Sequence, residues 1–357
     1  MSLSPELICK VGATRTLLGR LSEGINSLPS PDLFLRPFQT REAVLSSRIE
    51  GTRTTLEQAL VQEATSTDDE LIDDDREVSN YGKALRAGVG ALRDGRSLTI
   101  YLLRDLHREL LRGTRGHDKK PGNFRDRQVW IGPPESERDV TLARFVPPPP
   151  LEIEPCLRDL DQYLGERGPD EGLVRVALAH YQLETIHPFL DGNGRIGRLL
   201  LALQLVWEGV LDRTCLFVSP TLEKRRQGYY DGLLRVSTDG DHVGWIDFFL
   251  DVVADSATET LDRLRRLRAL REDFAARLRK VQSQKPALLI PELFGLPYLT
   301  VPIAKGVLKV ESATAQQAIT KLEKAGILEL MDERPILGRG RPPKLYRCPA
   351  ILEIIRE

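Results

Sequence analysis

The chain lacks most of the features that announce a function on sight. Only four cysteines occur in 357 residues. Cys9, Cys156, Cys215 and Cys348 stand far apart with no CxxC, which excludes a disulfide scaffold and a zinc finger. An excess of one charge is also missing: 51 Lys and Arg face 52 Asp and Glu, a net of -1. A polyelectrolyte that coats nucleic acid is therefore excluded, and charge-driven recognition has to be local. No long apolar run is present. The strongest, Leu199 to Trp207, includes Gln204 and falls short of the roughly 20 residues a bilayer span needs. The opening MSLSPELICK has no basic-then-apolar order of a signal peptide, so a reduced, cytoplasmic protein with no membrane contact is expected. Solenoid-period repeats and the Walker GxxxxGK(S/T) pattern are absent as well.

What is present is ordinary globular sequence, 41% hydrophobic and 29% charged, long enough for about two to three domains. Most of it has helical periodicity. Leu17, Leu18, Leu21 and Ile25 are spaced for one helix face, as are Val44, Leu45 and Ile49, then Leu56, Leu60 and Val61. The acidic stretch Asp68 to Glu77 reads as a solvated loop or helix start without a function. Leu98 to Leu111 forms another helix, closed by Gly113. In the segment PGNFRDRQVWIGPP the β-type run Gln128 to Ile131 is followed by a polar turn and by Ala143 to Val146. This predicts a β-hairpin ended by Pro147 to Pro150. Helical patterning resumes from Leu151 to Trp207, and residues 251–284 form one long amphipathic helix. The last 73 residues predict a helix over Val301 to Leu308, an N-cap at Ser312, and a second helix ended at Gly326. Two strands then flank a basic turn, Ile327 to Leu330 and Leu345-Tyr346. That order is the order of a winged helix-turn-helix domain.

One stretch carries dense chemistry: His187-Pro188-Phe189-Leu190-Asp191-Gly192-Asn193-Gly194-Arg195-Ile196-Gly197-Arg198. A base, a carboxylate, three glycines and two arginines fall within twelve residues. An apolar, buried-type helix follows and Gly209 marks its end, so Gly192, Asn193 and Gly194 lie at its N-terminus. Free N–H groups and the helix dipole favour an anion there, above all phosphate, and glycine lets it approach the backbone. The same residues match the GxGxxG dinucleotide pattern, but that pattern needs a preceding strand. Leu173 to Ile186 is patterned as a helix instead.

The motif HPFLDGNGRIGR resembles, position by position, the HxFx(D/E)GNGRxxR signature of the Fic-domain nucleotidyltransferases. The resemblance implies a mainly α protein: a helical core with a small β-hairpin flap, here joined to the C-terminal winged helix. It implies transfer of AMP from ATP, with Mg²⁺, to a hydroxyl side chain of a target protein. His187 would be the general base and Asp191 the Mg²⁺ ligand. Asn193 with the Gly192 and Gly194 amides would hold the transferred phosphate, and Arg195 and Arg198 the distal phosphates. Tyr229 and Tyr230 would lie near the nucleobase. The hairpin over 129–146 would hold the target's extended segment by strand addition. Upstream, Ser46-Ser47-Arg48-Ile49-Glu50-Gly51 resembles the family's inhibitory (S/T)xxxE(G/N) motif. Glu50 would occupy Arg198 so that ATP binds in an unproductive pose, making control intramolecular.

The expected division is 1–90 for the inhibitory helical region, 91–250 for the catalytic core, 251–284 for a connecting helix and 285–357 for the winged helix. The basic tip Arg339-Gly340-Arg341-Pro342-Pro343-Lys344 suits the DNA minor groove. Because the module carries only a small excess of positive charge, docking to protein, including a homodimer contact, stays open beside DNA. Two other readings of the whole chain also stay open. One is a DNA-binding regulator that senses nucleotide without turnover. The other is an enzyme of the same fold that moves another nucleotide or removes AMP through Glu50.

Overall fold

The computed structural model describes residues 3–65, 71–133, 139–166, 171–279, 281, 283–331 and 344–356. Helix α1 (Pro5–Asn26) starts on Ser4, whose hydroxyl accepts from the Leu7 amide at 3.2 Å. Helix α2 (Pro31–Ile49) starts on a proline, whose missing N–H costs nothing in a first turn. It ends at Glu50 because Gly51 turns the chain with φ +99°. Helices α3 (Leu56–Thr65), α4 (Asp73–Arg93) and α5 (Ile100–Leu110) follow.

Over its described residues the acidic stretch is a helix start, as expected, but it is not wholly solvated. Asp73 to Asp75 fill the first turn of α4, where the helix dipole favours negative charge. The helical period then turns Asp75 and Glu77 inward, and both are buried. Asp75 accepts from the Thr54 hydroxyl at 2.7 Å and Glu77 from the Thr52 hydroxyl at 2.8 Å.

The hairpin is looser than its sequence suggests. Among the described residues the two arms meet in a single bridge, Ile131 with Phe145, closed by amide-to-carbonyl bonds of 2.8 and 3.0 Å. A short 3-10 turn, Val140–Leu142, occupies the returning arm. Pro133 and Pro147 to Pro149 donate no ladder bonds, so neither Gln128 to Ile131 nor Ala143 to Val146 becomes a strand.

Helices α6 (Pro150–Gly165), α7 (Gly172–Ile186) and α8 (Asn193–Trp207) build the centre. Helix α8 is apolar all round because it faces two cores. Leu201 and Leu205 belong to one, and Ile196, Leu199, Leu200 and Leu203 to the other. Helices α9 (Ser219–Lys224) and α10 (Arg226–Asp239) lead into α11 (His242–Leu278). The connecting helix expected over 251–284 thus starts and ends earlier. Trp245 and Phe249 bury its first turns in the core, and the Trp245 indole donates to the Ala177 carbonyl at 2.8 Å.

The C-terminal module consists of α12 (Lys285–Gly295), β1 (Tyr298–Thr300), α13 (Val301–Leu308), α14 (Ser312–Lys324), β2 (Glu329–Leu330), β3 (Leu345–Arg347) and α15 (Pro349–Arg356). Its antiparallel sheet has the order β1-β3-β2, with Leu299 and Leu330 both opposite Tyr346. Strand β1 and helix α15 were not expected from the sequence. Ser312 is the first helical residue, not the N-cap; Glu311 takes that place. The basic tip lies outside the described residues except for Lys344. The module packs on the start of α2, where Phe294 stacks on Phe34 at 4.7 Å, and on α3, where Arg356 meets Glu57 at 2.6 Å. Among the described residues no helix is long and apolar enough to cross a membrane.

Candidate active site

The motif spans the turn between α7 and α8. That a helix precedes it, and not a strand, excludes the dinucleotide-fold reading. His187 ends α7 in the left-handed region, φ 49° and ψ 59°, and Gly192 opens α8 with φ 76°. These two left-handed residues bound a tight six-residue loop, His187 to Gly192. The Asn193 side chain fixes that loop: its Oδ1 accepts from the Phe189 amide and its Nδ2 donates to the Phe189 carbonyl, both at 2.8 Å. Asn193 is buried, and it spends one donor and one acceptor of its amide group on shaping this loop.

His107 of α5 supports the loop from below. Its ring stacks on Phe189 at 3.8 Å between centroids. Its Nδ1 accepts from the Gly122 amide at 2.8 Å, which leaves Nε2–H to donate to the Asp191 carbonyl at 2.9 Å. Burial pushes this imidazole down to about 4, as that neutral, fully bonded form requires. Burial likewise pushes His187 down to about 4, against the opposing pull of the Glu184 carbonyl and the Glu50 charge, so it is an unprotonated base at neutral pH. The carboxylate of Asp191 is partly exposed. One oxygen accepts from the Gly192 amide at 2.5 Å and from Arg195 at 3.4 Å.

Both motif arginines are buried and already held by acids. Arg195 donates to Glu77 at 3.1 Å, and its Nε has no partner among the described residues. Arg198 donates to the Ser46 hydroxyl at 2.8 Å, the Ser46 carbonyl at 2.9 Å and Glu50 at 2.7 Å. The (S/T)xxxE spacing explains this double grip, since Ser46 and Glu50 are one helical turn apart on α2. A Cβ at position 194 would collide with the Glu50 carboxylate, so only glycine admits that contact. Burial raises the Glu50 carboxyl, but Arg198, with Arg195 and His187, more than offsets it, and the net shift is downward. Three further bonds fix α2. Its buried Glu42 accepts from the Ser219 amide and hydroxyl at 3.0 and 2.6 Å, and Arg226 caps the Ile49 carbonyl at 2.8 Å.

Tyr229 and Tyr230 separate. Tyr229 is 2% exposed and its hydroxyl donates to His180 Nε2 at 2.9 Å, while His180 Nδ1–H bonds the Gly197 carbonyl at 3.1 Å. That places Tyr229 in the core rather than beside a base. Tyr230 remains partly exposed between the guanidiniums of Arg144 and Arg226, 5.9 and 5.7 Å from its ring. A cleft of about 710 Å³ between α2, α3 and α4 is lined by no motif residue.

Sequence reading missed Glu77, His107, His180 and Glu184. Glu184 lies so close to Gly197 that a Cβ there would collide with it, and one of its buried oxygens has no partner among the described residues. Burial, together with the Glu50 charge, raises its carboxyl to about 7 against the pull of Arg198. Its folded value is above the ordinary carboxylate value, so stability falls as pH rises from that ordinary value to about 7, and the loss is complete above it. Glu184→Gln is therefore expected to gain melting temperature over the parent at pH 8 but not at pH 5. An equal difference at both values would show that Glu184 does not titrate there.

Comparison with known proteins agrees with this geometry. The Fic/DOC family matches residues 97–205 and the N-terminal region of the same family matches residues 9–90, together more than half of the chain. "Protein adenylyltransferase Fic" of Drosophila ananassae is 29% identical over 220 residues, and that of Drosophila melanogaster 28%. The match covers 60% of this chain but 39% of each relative's length. A Fic family protein from Desulfovibrio desulfuricans superposes with a TM-score of 0.61 at 23% identity, over 98% of this chain and 97% of that one. Motif, fold and both matched regions coincide: the chain belongs to the Fic/DOC family.

Proposed function

We propose that the protein transfers AMP from ATP to a hydroxyl side chain of a protein and that Glu50 holds this activity down. The contact that carries the reading is Arg198 with Glu50 at 2.7 Å, at the N-terminal turn of a helix shaped for phosphate. The relatives are named protein adenylyltransferases; this chain supports the reading with His187, the tight loop and two buried arginines of its motif.

Each residue has a chemical task. His187, unprotonated at neutral pH, takes the proton of the attacking hydroxyl. The Gly194 amide faces the transferred phosphate, the Gly192 amide being held by the Asp191 carboxylate, and Asn193 keeps their loop in shape. Arg195 and Arg198 neutralise the departing pyrophosphate by charged hydrogen bonds. Asp191 suits Mg²⁺ as a partly exposed single carboxylate, since this ion is usually held by one or two carboxylates plus substrate phosphates. No group of three or more acidic, His or Cys ligands forms among the described residues. The ion would arrive with ATP and would offset charge on its phosphates. Trp130, Val140, Leu142 and Val146 are exposed apolar residues on the flap, which fits a surface that takes an extended target segment. Tyr230, and not Tyr229, is left to meet the nucleobase. Strands β2 and β3 follow the helix pair α13 and α14 and join β1, which precedes it, in one antiparallel sheet; this order supports the winged-helix reading of the C-terminal module.

Glu77 acts behind Arg195. A hydrogen bond to a charged group contributes about 1.5–3 kcal/mol, or roughly tenfold and more in binding. Glu77→Gln in a Glu50→Gly background is expected to weaken ATP binding by about that factor. Unchanged affinity by calorimetry would mean that Arg195 needs no support. The overall reading is tested by incubation with labelled ATP and Mg²⁺, parent against Glu50→Gly.

A further inference from the structure

We infer that Arg125 is a positioning residue that locks the base of the flap to the backbone of the His187 loop, so that target docking and base alignment are one structural event. This rests on the function proposed above.

Arg125 lies between the two segments and is 3% exposed. All its bonds go to backbone carbonyls, and they run both ways. Toward the motif, Nε donates to the His187 carbonyl at 2.8 Å and a terminal nitrogen to the Ile186 carbonyl at 3.3 Å. Its own amide donates to the Pro188 carbonyl at 2.8 Å. Toward the flap, the other terminal nitrogen donates to the Arg127 carbonyl at 3.2 Å, at the start of the outgoing arm. The nitrogen that meets Ile186 also donates to Pro148, where the returning arm ends. One guanidinium thus bonds four carbonyls, two from each segment.

The chemistry explains why arginine stands here. A planar fork with five N–H donors can satisfy several carbonyls at once, and an ammonium cannot copy its geometry. The charge sits at the C-terminal end of α7, where the helix dipole favours a cation. No carboxylate pairs with it among the described residues, so its contacts are spent on shape alone. The shape at stake is unusual. His187 holds a left-handed conformation that L residues adopt only when their surroundings impose it. The bonds to Ile186, His187 and Pro188 bracket that residue on both sides.

Gln128 provides the control. Its side-chain amide donates within the flap, to the Val129 and Pro147 carbonyls at 2.9 and 2.8 Å, and not to the motif. The test compares Arg125→Lys, Arg125→Ala and Gln128→Ala in the full chain carrying Glu50→Gly. The first readout is amide hydrogen exchange at Phe189, in the motif loop, and at Ile131, in the flap bridge. Both are expected to quicken together in the Arg125 variants, and only Ile131 in Gln128→Ala. The second readout is turnover. Misplacement of a catalytic group by about 1 Å costs on the order of 10²-fold. Arg125→Lys is expected to lower kcat by about that factor with ATP binding retained, whereas Gln128→Ala raises the target KM alone. Added methylguanidinium should partly restore Arg125→Ala. Exchange that rises at only one of the two amides in Arg125→Lys, or a kcat that does not fall, would overturn the inference. If the Glu50→Gly chain transfers no AMP at all, the functional reading fails instead, and the exchange data still decide the coupling.

Discussion

Glu50→Gly is expected to raise AMP transfer by about 10- to 100-fold over the parent. The magnitude follows from one charge-assisted hydrogen bond, about 1.5–3 kcal/mol, at about 1.4 kcal/mol per tenfold. In the parent, Arg198 spends three bonds on α2, one of them on the Glu50 carboxylate. A γ-phosphate can claim that guanidinium only by displacing Glu50. The displacement is costly because α2 is held at its C-terminal half by Glu42 on Ser219 and by Arg226 on Ile49. Acidity offers little release. The folded Glu50 carboxyl is depressed, so the contact is complete above the ordinary glutamate value and is lost only as pH falls through the lower folded value. The parent should therefore stay quiet across neutral pH. A readout apart from activity is available. Removing Glu50 leaves Arg198 buried without its acid, and ATP supplies the missing charge. ATP should raise the melting temperature of Glu50→Gly more than that of the parent; equal shifts would mean that Glu50 does not compete with nucleotide.

His187→Ala, placed in the Glu50→Gly chain, is expected to lower transfer by about 10²–10⁴-fold, the usual contribution of a positioned general base. ATP binding should persist, because the phosphate cradle consists of backbone amides and two guanidiniums that do not depend on the imidazole. Since burial already holds His187 near 4, its deprotonation does not limit the rate at neutral pH. A variant that bound no ATP would place His187 in the nucleotide cradle instead. A variant with full transfer would remove its role as base.

How much of this was legible in the sequence depends on the distance over which each contact acts. The motif loop was legible because its parts are neighbours: base, carboxylate, glycines and arginines within one turn and the start of one helix. Helix α8 was legible as buried because Leu199 to Leu205 leave no polar face. Glu50 was legible only through the resemblance, since Arg198 lies 148 positions away and nothing local in Ser-x-x-x-Glu names its partner. The supports of the site were not legible for the same reason. Glu77 stood in an acidic run that composition assigns to solvent, and only the turn of α4 brings it to Arg195, 118 positions on. His107, His180 and Arg125 join helices and loops that are far apart in the chain. Asn193 carried a different ambiguity: the same amide can hold a phosphate or its own loop, and residue type does not choose between them. Local chemistry misled at the flap, where alternation suggested strands and the prolines left one bridge.

The most direct measurement compares three full-length chains, the parent, Glu50→Gly, and Glu50→Gly with His187→Ala, each given Mg²⁺ with ATP labelled either at the α- or at the γ-phosphate. Protein-bound label is expected from α-labelled ATP in Glu50→Gly, only weakly in the parent, and hardly at all in the double variant, with none from γ-labelled ATP. Equal labelling of parent and Glu50→Gly, undiminished labelling of the double variant, or label arriving from the γ-phosphate would contradict a site that transfers AMP under the control of Glu50.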